Sequence, residues 1–185
     1  MEQISEEANR AAEIIRRVRG FVQKRGPQVS QVSINTLIED VISLCEAEIE
    51  RRHATVVLEL AADLPAVQAD RIQIEQVAMN LVRNGLESMD QTPAERRRLA
   101  VKSLRRDADT VEVRVSDCGL GIPPDNVKRV FEPFFTTKPE GMGMGLAISR
   151  SIVQAHGGTL GLSANEEGGC TFYFALPIRS GSVGR

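Results

Sequence analysis

The stretch Asp117-Cys-Gly-Leu-Gly121 lies in the middle of an ordered series of short motifs. Before it comes Asn80-Leu-Val-Arg-Asn84. After it come, in order, Phe131-Glu-Pro-Phe-Phe-Thr-Thr-Lys138, Gly141-Met-Gly-Met-Gly145-Leu146 and Gly168-Gly-Cys-Thr171. Each pattern alone is weak, because short glycine motifs arise by chance in many chains. Their order and separation together indicate a nucleotide-binding site.

Length and composition limit the classes of protein to consider. With 185 residues, of which 42% are hydrophobic, the chain can bury the core of one full domain. A formal charge of −2 and the lack of a basic tract argue against nucleic acid as the main partner. No apolar run approaches the roughly 18–20 residues of a membrane span, and no signal peptide is visible. We therefore expect no direct membrane contact.

The cysteines indicate the cellular compartment. Cys45, Cys118 and Cys170 are odd in number and lack the CxxC spacing of many metal sites. This usage fits a reducing environment, and we expect the chain to be cytoplasmic.

Residues 1–27 are predicted to form a separate unit. Apolar residues recur there at alternating spacings of four and three, a heptad stripe suited to packing along another helix. The stripe consists of Ile4, Ala8, Ala11, Ile15, Val18 and Val22. Gly26-Pro27 ends the predicted helix. The alternative, in which this helix folds back onto the main domain, stays open. We expect residues 28–180 to form that domain and residues 181–185 to form a disordered tail.

Strands and helices interleave in the main domain. Periodicity and turn residues predict strands at 32–34, 54–60, 99–106, 110–116, 159–163 and 170–176. They predict helices at 35–52, with Asn35 as N-cap, at 70–89, opened by Asp70, and at 144–156. Residues 118–143 are rich in glycine and proline and are predicted to form a long functional loop. This pattern suggests a sheet covered on one face by helices.

Asn80 and Asn84 are four residues apart, so both side chains leave one face of the predicted helix 70–89. Their carbonyl oxygens can ligate Mg²⁺ or its bound water, with water and phosphates completing the octahedron. Glu87 falls on the same face, one turn further on. The alternative is that the two amides only solvate a helix surface. Apolar neighbours predict a largely buried helix, however, and a buried asparagine needs partners.

Asp117 ends a predicted strand and is followed by Gly119 and Gly121. A carboxylate there can accept a hydrogen bond from the exocyclic amine of adenine, and glycines allow the backbone to approach the base closely. Thr171, on a late strand, supplies a hydroxyl that can bond the same base edge or a fixed water. The alternatives are that Asp117 simply begins a turn and that Thr171 is an ordinary strand residue.

Gly141, Gly143 and Gly145 lead into the predicted helix 144–156, whose first turn contains Leu146. Glycine-rich backbone at a helix N-terminus presents free N–H groups and a positive dipole to phosphate. The spacing matches neither the Walker loop nor the dinucleotide fingerprint. Lys138, just upstream, can reach a terminal phosphate as a point charge, although a solvated loop lysine is the alternative.

Taken together, these motifs resemble the N, G1, F and G2 boxes of sensor histidine kinases, with Thr171 in a G3-like segment. Their amino-acid sequences are similar to those of histidine kinases of the oxygen-sensing and nitrogen-regulatory class. The resemblance covers residues of about 30–178 and implies the Bergerat ATP-binding fold shared with Hsp90, type II topoisomerases and MutL. That α+β fold is a two-layer sandwich, with a mixed, roughly five-stranded sheet and three helices on one face. By the same resemblance, residues 3–25 look like the second helix of a dimerisation hairpin.

The resemblance also implies a role for individual residues, with ATP and Mg²⁺ as cofactors. Asn84 becomes the principal Mg²⁺ ligand, supported by Asn80, and Asp117 reads adenine. Lys138 and the glycine loop hold the phosphates, and Lys138 is the one candidate for a catalytic role. The full implied binding set is Asn80, Asn84, Glu87, Asp117, Gly119, Gly121, Ile122, Lys138, Gly141, Gly143, Gly145, Leu146 and Thr171.

The phosphoacceptor histidine of that family lies on the first hairpin helix and is followed by an acidic residue. This chain has only His53 and His156. No acidic residue follows His53, and His156 precedes Gly157-Gly158 at a predicted helix end, where an imidazole suits the last carbonyls. We therefore expect both to be structural and the chain to be a fragment, or a natural half, that carries the ATP site without its acceptor.

The expected function is that of a protein histidine kinase. It transfers the γ-phosphate of Mg-ATP to a histidine on a separate dimerisation helix, signals to a response regulator receiver domain, and forms a homodimer at full length. An ATP-hydrolysing clamp of the Hsp90 or MutL type is the first alternative. Those relatives place a glutamate base where this chain has Asn80, and an amide cannot take a proton from water. A non-catalytic adapter that dimerises and docks a regulator is the second alternative.

Overall fold

The computed structural model describes residues 28–138, 141–165 and 168–178. The predicted heptad helix, the Gly26-Pro27 joint and the predicted C-terminal tail lie outside the described residues. None of the helices in these three ranges has the length and hydropathy required to cross a membrane.

Seven strands and four α-helices make up the described part of the chain. The strands are β1 (Val29–Val32), β2 (Thr55–Leu60), β3 (Val67–Asp70), β4 (Arg98–Asp107), β5 (Thr110–Asp117), β6 (Thr159–Ala164) and β7 (Cys170–Pro177). The helices are α1 (Ile34–Leu44), α2 (Glu46–Arg51), α3 (Arg71–Ser88) and α4 (Gly145–Ala155). Short 3₁₀ turns lie at Ala94–Arg96 and Pro124–Asn126.

Five strands form a mixed sheet in the order β2-β4-β5-β7-β6, in which β2 and β4 are parallel and the other pairs antiparallel. Strand β5 shows the alternation that covers one face only: Val111, Val113 and Val115 are buried in the core, and Glu112 and Arg114 lie on the other face. The helices pack on the valine side. The predicted two-layer sandwich with a roughly five-stranded mixed sheet is confirmed.

A separate two-stranded ladder pairs β1 with β3 in antiparallel register, from Val29 opposite Asp70 to Val32 opposite Val67. Strand β3 was not predicted, and the first strand begins three residues earlier than predicted. Both strands have only four residues, which is too short for alternation to stand out from noise.

The first helix differs from its prediction in its N-cap and in its continuity. Ser33, not Asn35, is the N-cap, and its hydroxyl accepts a hydrogen bond from the Thr36 N–H at 3.4 Å. The Asn35 side chain instead crosses to the sheet, donating to the Ala61 carbonyl at 2.7 Å and accepting from the Ser103 hydroxyl at 2.7 Å. The predicted single helix is interrupted at Cys45, whose N–H is shared between two carbonyls of the preceding turn.

The long helix α3 begins as predicted. Asp70 caps it by accepting hydrogen bonds from the N–H groups of Ile72 (3.1 Å) and Gln73 (3.3 Å). The Asp70 N–H in turn donates to Nε2 of His156 at 3.0 Å, while Nδ1 of His156 lies 2.8 Å from the Ile152 carbonyl and donates to it. His156 therefore joins the end of α4 to the start of α3, which is the structural role that its position predicted.

Candidate functional site

Helix α3 forms one side of the site, and Asn80 connects it to helix α4. The Asn80 amide donates to the Ser149 hydroxyl at 3.0 Å. Its carbonyl oxygen lies against Gly145, so closely that a side chain at position 145 would overlap it. Asn80 thus fixes the start of α4 beside this face of α3, and its oxygen faces the glycine loop rather than the core.

Asn84 lies one turn further along the same face and is half-buried. Its side chain makes no hydrogen bond to any other residue in the described part of the chain. A half-buried amide with no protein partner among the described residues is left to bond water or a ligand. The observed environment therefore fits a carbonyl ligand for Mg²⁺.

Glu87 and Lys138 form an ion pair between α3 and the long loop, with side-chain exposures of 30% and 41%. The loop turns tightly here. The Lys138 N–H donates to the Thr136 hydroxyl at 3.0 Å, and the Gly141 N–H donates to the Lys138 carbonyl at 3.1 Å. The loop thereby brings the Lys138 ammonium to the helix face that carries the two asparagines.

Asp117 lies at the end of β5 on the helix side of the sheet and is only 4% exposed. Its carboxylate accepts from the Gly119 N–H at 2.9 Å and also bonds the hydroxyl of Ser88, the last residue of α3. Burial raises the pKa of Asp117 above its ordinary value, although these two hydrogen bonds act in the opposite direction. The result is a buried carboxylate at the C-terminal end of α3.

Two glycines beside Asp117 occupy positions where no side chain fits. A Cβ at Gly119 would overlap the Ser88 carbonyl oxygen, and one at Gly169 would overlap the carbonyl oxygen of Asp117. Gly121, at φ +70°, approaches the Gly168 carbonyl. These contacts bring three backbone segments close around one carboxylate, as a pocket for a flat base requires.

The glycine loop ends at an N-terminus that is open to an anion. Helix α4 starts at Gly145, and no described side chain caps it, in contrast to the Ser33 and Asp70 caps of the earlier helices. The first N–H groups of a helix have no partner within it, so those around Leu146 can bond phosphate oxygens. Gly143 has φ +64°, and its carbonyl accepts a hydrogen bond from the Phe134 N–H at 3.0 Å, which fixes the backbone just before α4.

Thr171 is the predicted site residue that the structure does not bring to the others. It lies opposite Ser116 in the β5–β7 register, and the two hydroxyls are 2.8 Å apart. That pair faces away from Asp117, into an open depression of about 560 Å³ on the uncovered face of the sheet. Its hydroxyl therefore lies on the opposite face of the sheet from the Asp117 carboxylate.

Cys170, one residue earlier, points to the Asp117 side instead. Burial, together with the negative charge of Asp117, raises the pKa of Cys170 to about 11. The thiol is therefore protonated at neutral pH, and it is buried beside Asp117. Cys170 was not predicted as a site residue. The face of the sheet on which its side chain lies depends on the strand register, which the sequence alone does not fix.

Asn165 and Ser88 were also missed. The Asn165 amide donates to the Asp117 carbonyl at 2.7 Å and its oxygen accepts from the Gly169 N–H at 2.9 Å. It thus ties the hairpin turn to the end of β5. An asparagine shortly before a glycine pair is a turn signal, which hinted at a local role but not at this partner.

The remaining predicted residues line the surroundings of the site. Ile122 and Leu146 are partly buried and pack against the core, and Gly141 contacts Thr136 within the turn at Lys138. In the described ranges no group of three His, Cys, Asp or Glu side chains is placed to hold a metal.

Comparison with known proteins gives a consistent result. The family described as "Histidine kinase-, DNA gyrase B-, and HSP90-like ATPase" matches residues 69–180, more than half of the chain. The sensor protein TdiS of Thauera aromatica is 42% identical over 92% of this chain and 31% of its own length. The sensor protein FixL of Bradyrhizobium diazoefficiens is 42% identical over 96% of this chain and 35% of its own. The chain thus spans about a third of the length of each of these two relatives.

Solved structures agree with this match. The catalytic domain of histidine kinase ThkA superposes with a TM-score of 0.73 at 34% identity, over 82% of this chain and 96% of that one. ThkA in complex with the response regulator protein TrrA gives 0.78 at 29% identity, over 95% and 49%. Full-length ShkA in complex with AMPPNP gives 0.74 at 25% identity, over 83% and 32%.

Proposed function

Because this chain belongs to the histidine kinase-, DNA gyrase B- and HSP90-like ATPase family, we propose that it binds Mg-ATP as the catalytic part of a sensor histidine kinase. In this proposal it transfers the γ-phosphate to a histidine on a dimerisation helix. ATP supplies the phosphoryl group, and the residues described above bind and orient it.

One observation carries the proposal: the order of contacts along α3. Asn80 contacts Gly145 at the open N-terminus of α4, and Ser88 bonds the buried Asp117. Asn84, whose amide has no hydrogen-bond partner among the described residues, lies between them. Along one helix face, this order provides contacts for the phosphates, then a metal ligand, then contacts for the adenine base. A metal-bound nucleotide requires the same spatial order.

Each group has a distinct task in this proposal. Asp117 accepts a hydrogen bond from the exocyclic amine of adenine, and Asn84, assisted by Asn80, holds Mg²⁺. Lys138 and the first N–H groups of α4 neutralise the phosphates. Phosphoryl transfer depends mainly on such positioning and charge neutralisation, so the site needs no nucleophile of its own.

A hydrolytic clamp of the Hsp90 or MutL type is less well supported. Hydrolysis needs a base beside the attacking water, and clamp-type relatives place a glutamate at the position of Asn80. Here that side chain is an amide whose N–H₂ group bonds Ser149. Glu87, an acidic side chain further along the same helix, is paired with Lys138.

The partners and the setting are part of the proposal. The complex of ThkA with the response regulator protein TrrA supports docking of a response regulator, which we propose occurs through its receiver domain. A homodimeric full-length kinase is part of the same proposal. All three cysteines are free in the structure, which supports a cytoplasmic location.

The transfer reaction tests the proposed function. Incubated with Mg-ATP alone, the chain should acquire no acid-labile, base-stable phosphate, because neither His53 nor His156 lies at the site. With a dimerisation hairpin from a related kinase, carrying a histidine followed by an acidic residue, phosphohistidine should form on the hairpin. Stoichiometric phosphohistidine in the isolated chain would contradict the proposal, as would ATP binding without any transfer to several such hairpins.

The loop should respond to the nucleotide. Residues 118–138 and 141–143 contain two short turns and a 3₁₀ segment but no long helix or strand, so their backbone amides should exchange hydrogen quickly. Saturating Mg-ATP should slow exchange between Lys138 and Gly145, because phosphates would engage these backbone groups. Hydrogen exchange with and without ATP measures this, with the turn at Asp107–Thr110 as an internal control. Unchanged exchange at Lys138–Gly145 would show that this loop does not close over the bound nucleotide.

A further inference from the structure

The ion pair of Glu87 with Lys138 joins the helix that carries the metal ligand to the loop that covers it. Both side chains remain partly exposed, at 30% and 41%. Neither has a second ion-pair partner within the described ranges. An exposed pair of this kind is weak and exchanges readily, so another anion at the same place can compete for the lysine.

The backbone at Lys138 is held while its side chain stays free to reorient. The Thr136 hydroxyl accepts the Lys138 N–H, and the Gly141 N–H bonds the Lys138 carbonyl. A side chain at Gly141 would come against the Thr136 side chain that accepts the Lys138 N–H, so glycine leaves room for this turn. The flexible four-carbon stem of lysine can then move its ammonium group between alternative anions without refolding the loop.

Glu87 is not part of a preformed metal cage. It lies three residues after Asn84 on the same face, where the other two side chains are amides. No group of three His, Cys, Asp or Glu side chains surrounds it in the described part of the chain. Its counterion there is Lys138, so the two charges cancel on the helix face between Asn84 and Ser88 until another anion attracts the lysine.

We propose that Glu87 is a specificity-determining residue that weakens the binding of ATP relative to ADP, by competing with the γ-phosphate for Lys138. This inference rests on the proposed function. ATP brings a third phosphate that can replace the Glu87 carboxylate as the partner of Lys138, which leaves Glu87 unpaired. ADP lacks this third phosphate, so the ion pair persists. Glu87 thereby keeps the two affinities close, and ADP competes effectively with ATP.

The test uses Glu87→Gln, which keeps the shape and removes the charge. Calorimetry on the full chain at millimolar Mg²⁺ should show ATP binding about two- to fivefold more tightly, as the loss of a competing half-exposed ion pair predicts. ADP affinity should change less than twofold. Glu75→Gln, which removes a carboxylate from the same helix three turns earlier, should change neither affinity.

A second background makes the result specific to Lys138. In a Lys138→Gln chain, Glu87→Gln should no longer alter the ratio of ATP to ADP affinity, because the group for which they compete is gone. Equal tightening of both nucleotides, or weaker ATP binding, would overturn the inference and leave the proposed function intact. A wild-type chain that binds neither nucleotide would refute both.

Discussion

Replacing Asn84 by alanine is expected to reduce phosphoryl transfer to a supplied hairpin by at least about 100-fold. Loss of a residue that only supports a metal ligand typically costs about 10–100-fold, so loss of the ligand itself should cost no less. The fold should be preserved, because the Asn84 side chain has no hydrogen bond in the described part of the chain. Initial transfer rates at saturating ATP, measured across a Mg²⁺ titration, provide the test.

Two further variants separate metal binding from packing. Asn84→Asp retains an oxygen ligand and should keep more activity than alanine. Asn80→Ala removes the bond to Ser149 and should lower the melting temperature as well as the rate. Near wild-type transfer by Asn84→Ala at millimolar Mg²⁺ would show that this side chain does not hold the metal.

The parts of the fold that were predictable are those with a local physical cause. Asp70 caps α3 because its carboxylate reaches the N–H groups two and three residues on, and the alternation along Val111, Val113 and Val115 follows from the strand period. The ladder of β1 with β3 was not predictable in this way. Its strands are short, and pairing partners 35 or more residues apart leave no local signal.

The candidate site shows the same division. Asn80 and Asn84 could be assigned to one face because helical spacing fixes that relation. The face of the sheet on which the Thr171 side chain lies could not be assigned, because a shift of one residue in strand register moves every side chain to the opposite face. The observed register places Cys170, not Thr171, beside Asp117. The ion pair of Glu87 with Lys138 spans 51 positions and depends on how the loop folds back.

Replacing Asp117 by asparagine is expected to weaken ATP binding by about 10- to 150-fold. This corresponds to the roughly 1.5–3 kcal/mol of a buried hydrogen bond to a charged group. The fold should tolerate the change, because burial already disfavours the charged carboxylate and asparagine has nearly the same shape. Calorimetry with ATP and GTP measures the effect. The wild type should bind GTP much more weakly, since guanine offers no exocyclic amine at the adenine position.

Asp125→Asn, on the exposed part of the loop, is the matched control and should leave ATP affinity unchanged. The pH dependence adds a second readout. Because the pKa of Asp117 is raised, its carboxylate takes up a proton at a higher pH than an ordinary aspartate, so wild-type affinity should fall as the pH is lowered through that raised value. Asp117→Asn has no such group, and its affinity should change only with the titration of the nucleotide. Equal binding of ATP and GTP by the wild type, or identical pH profiles for the two chains, would remove Asp117 from adenine recognition.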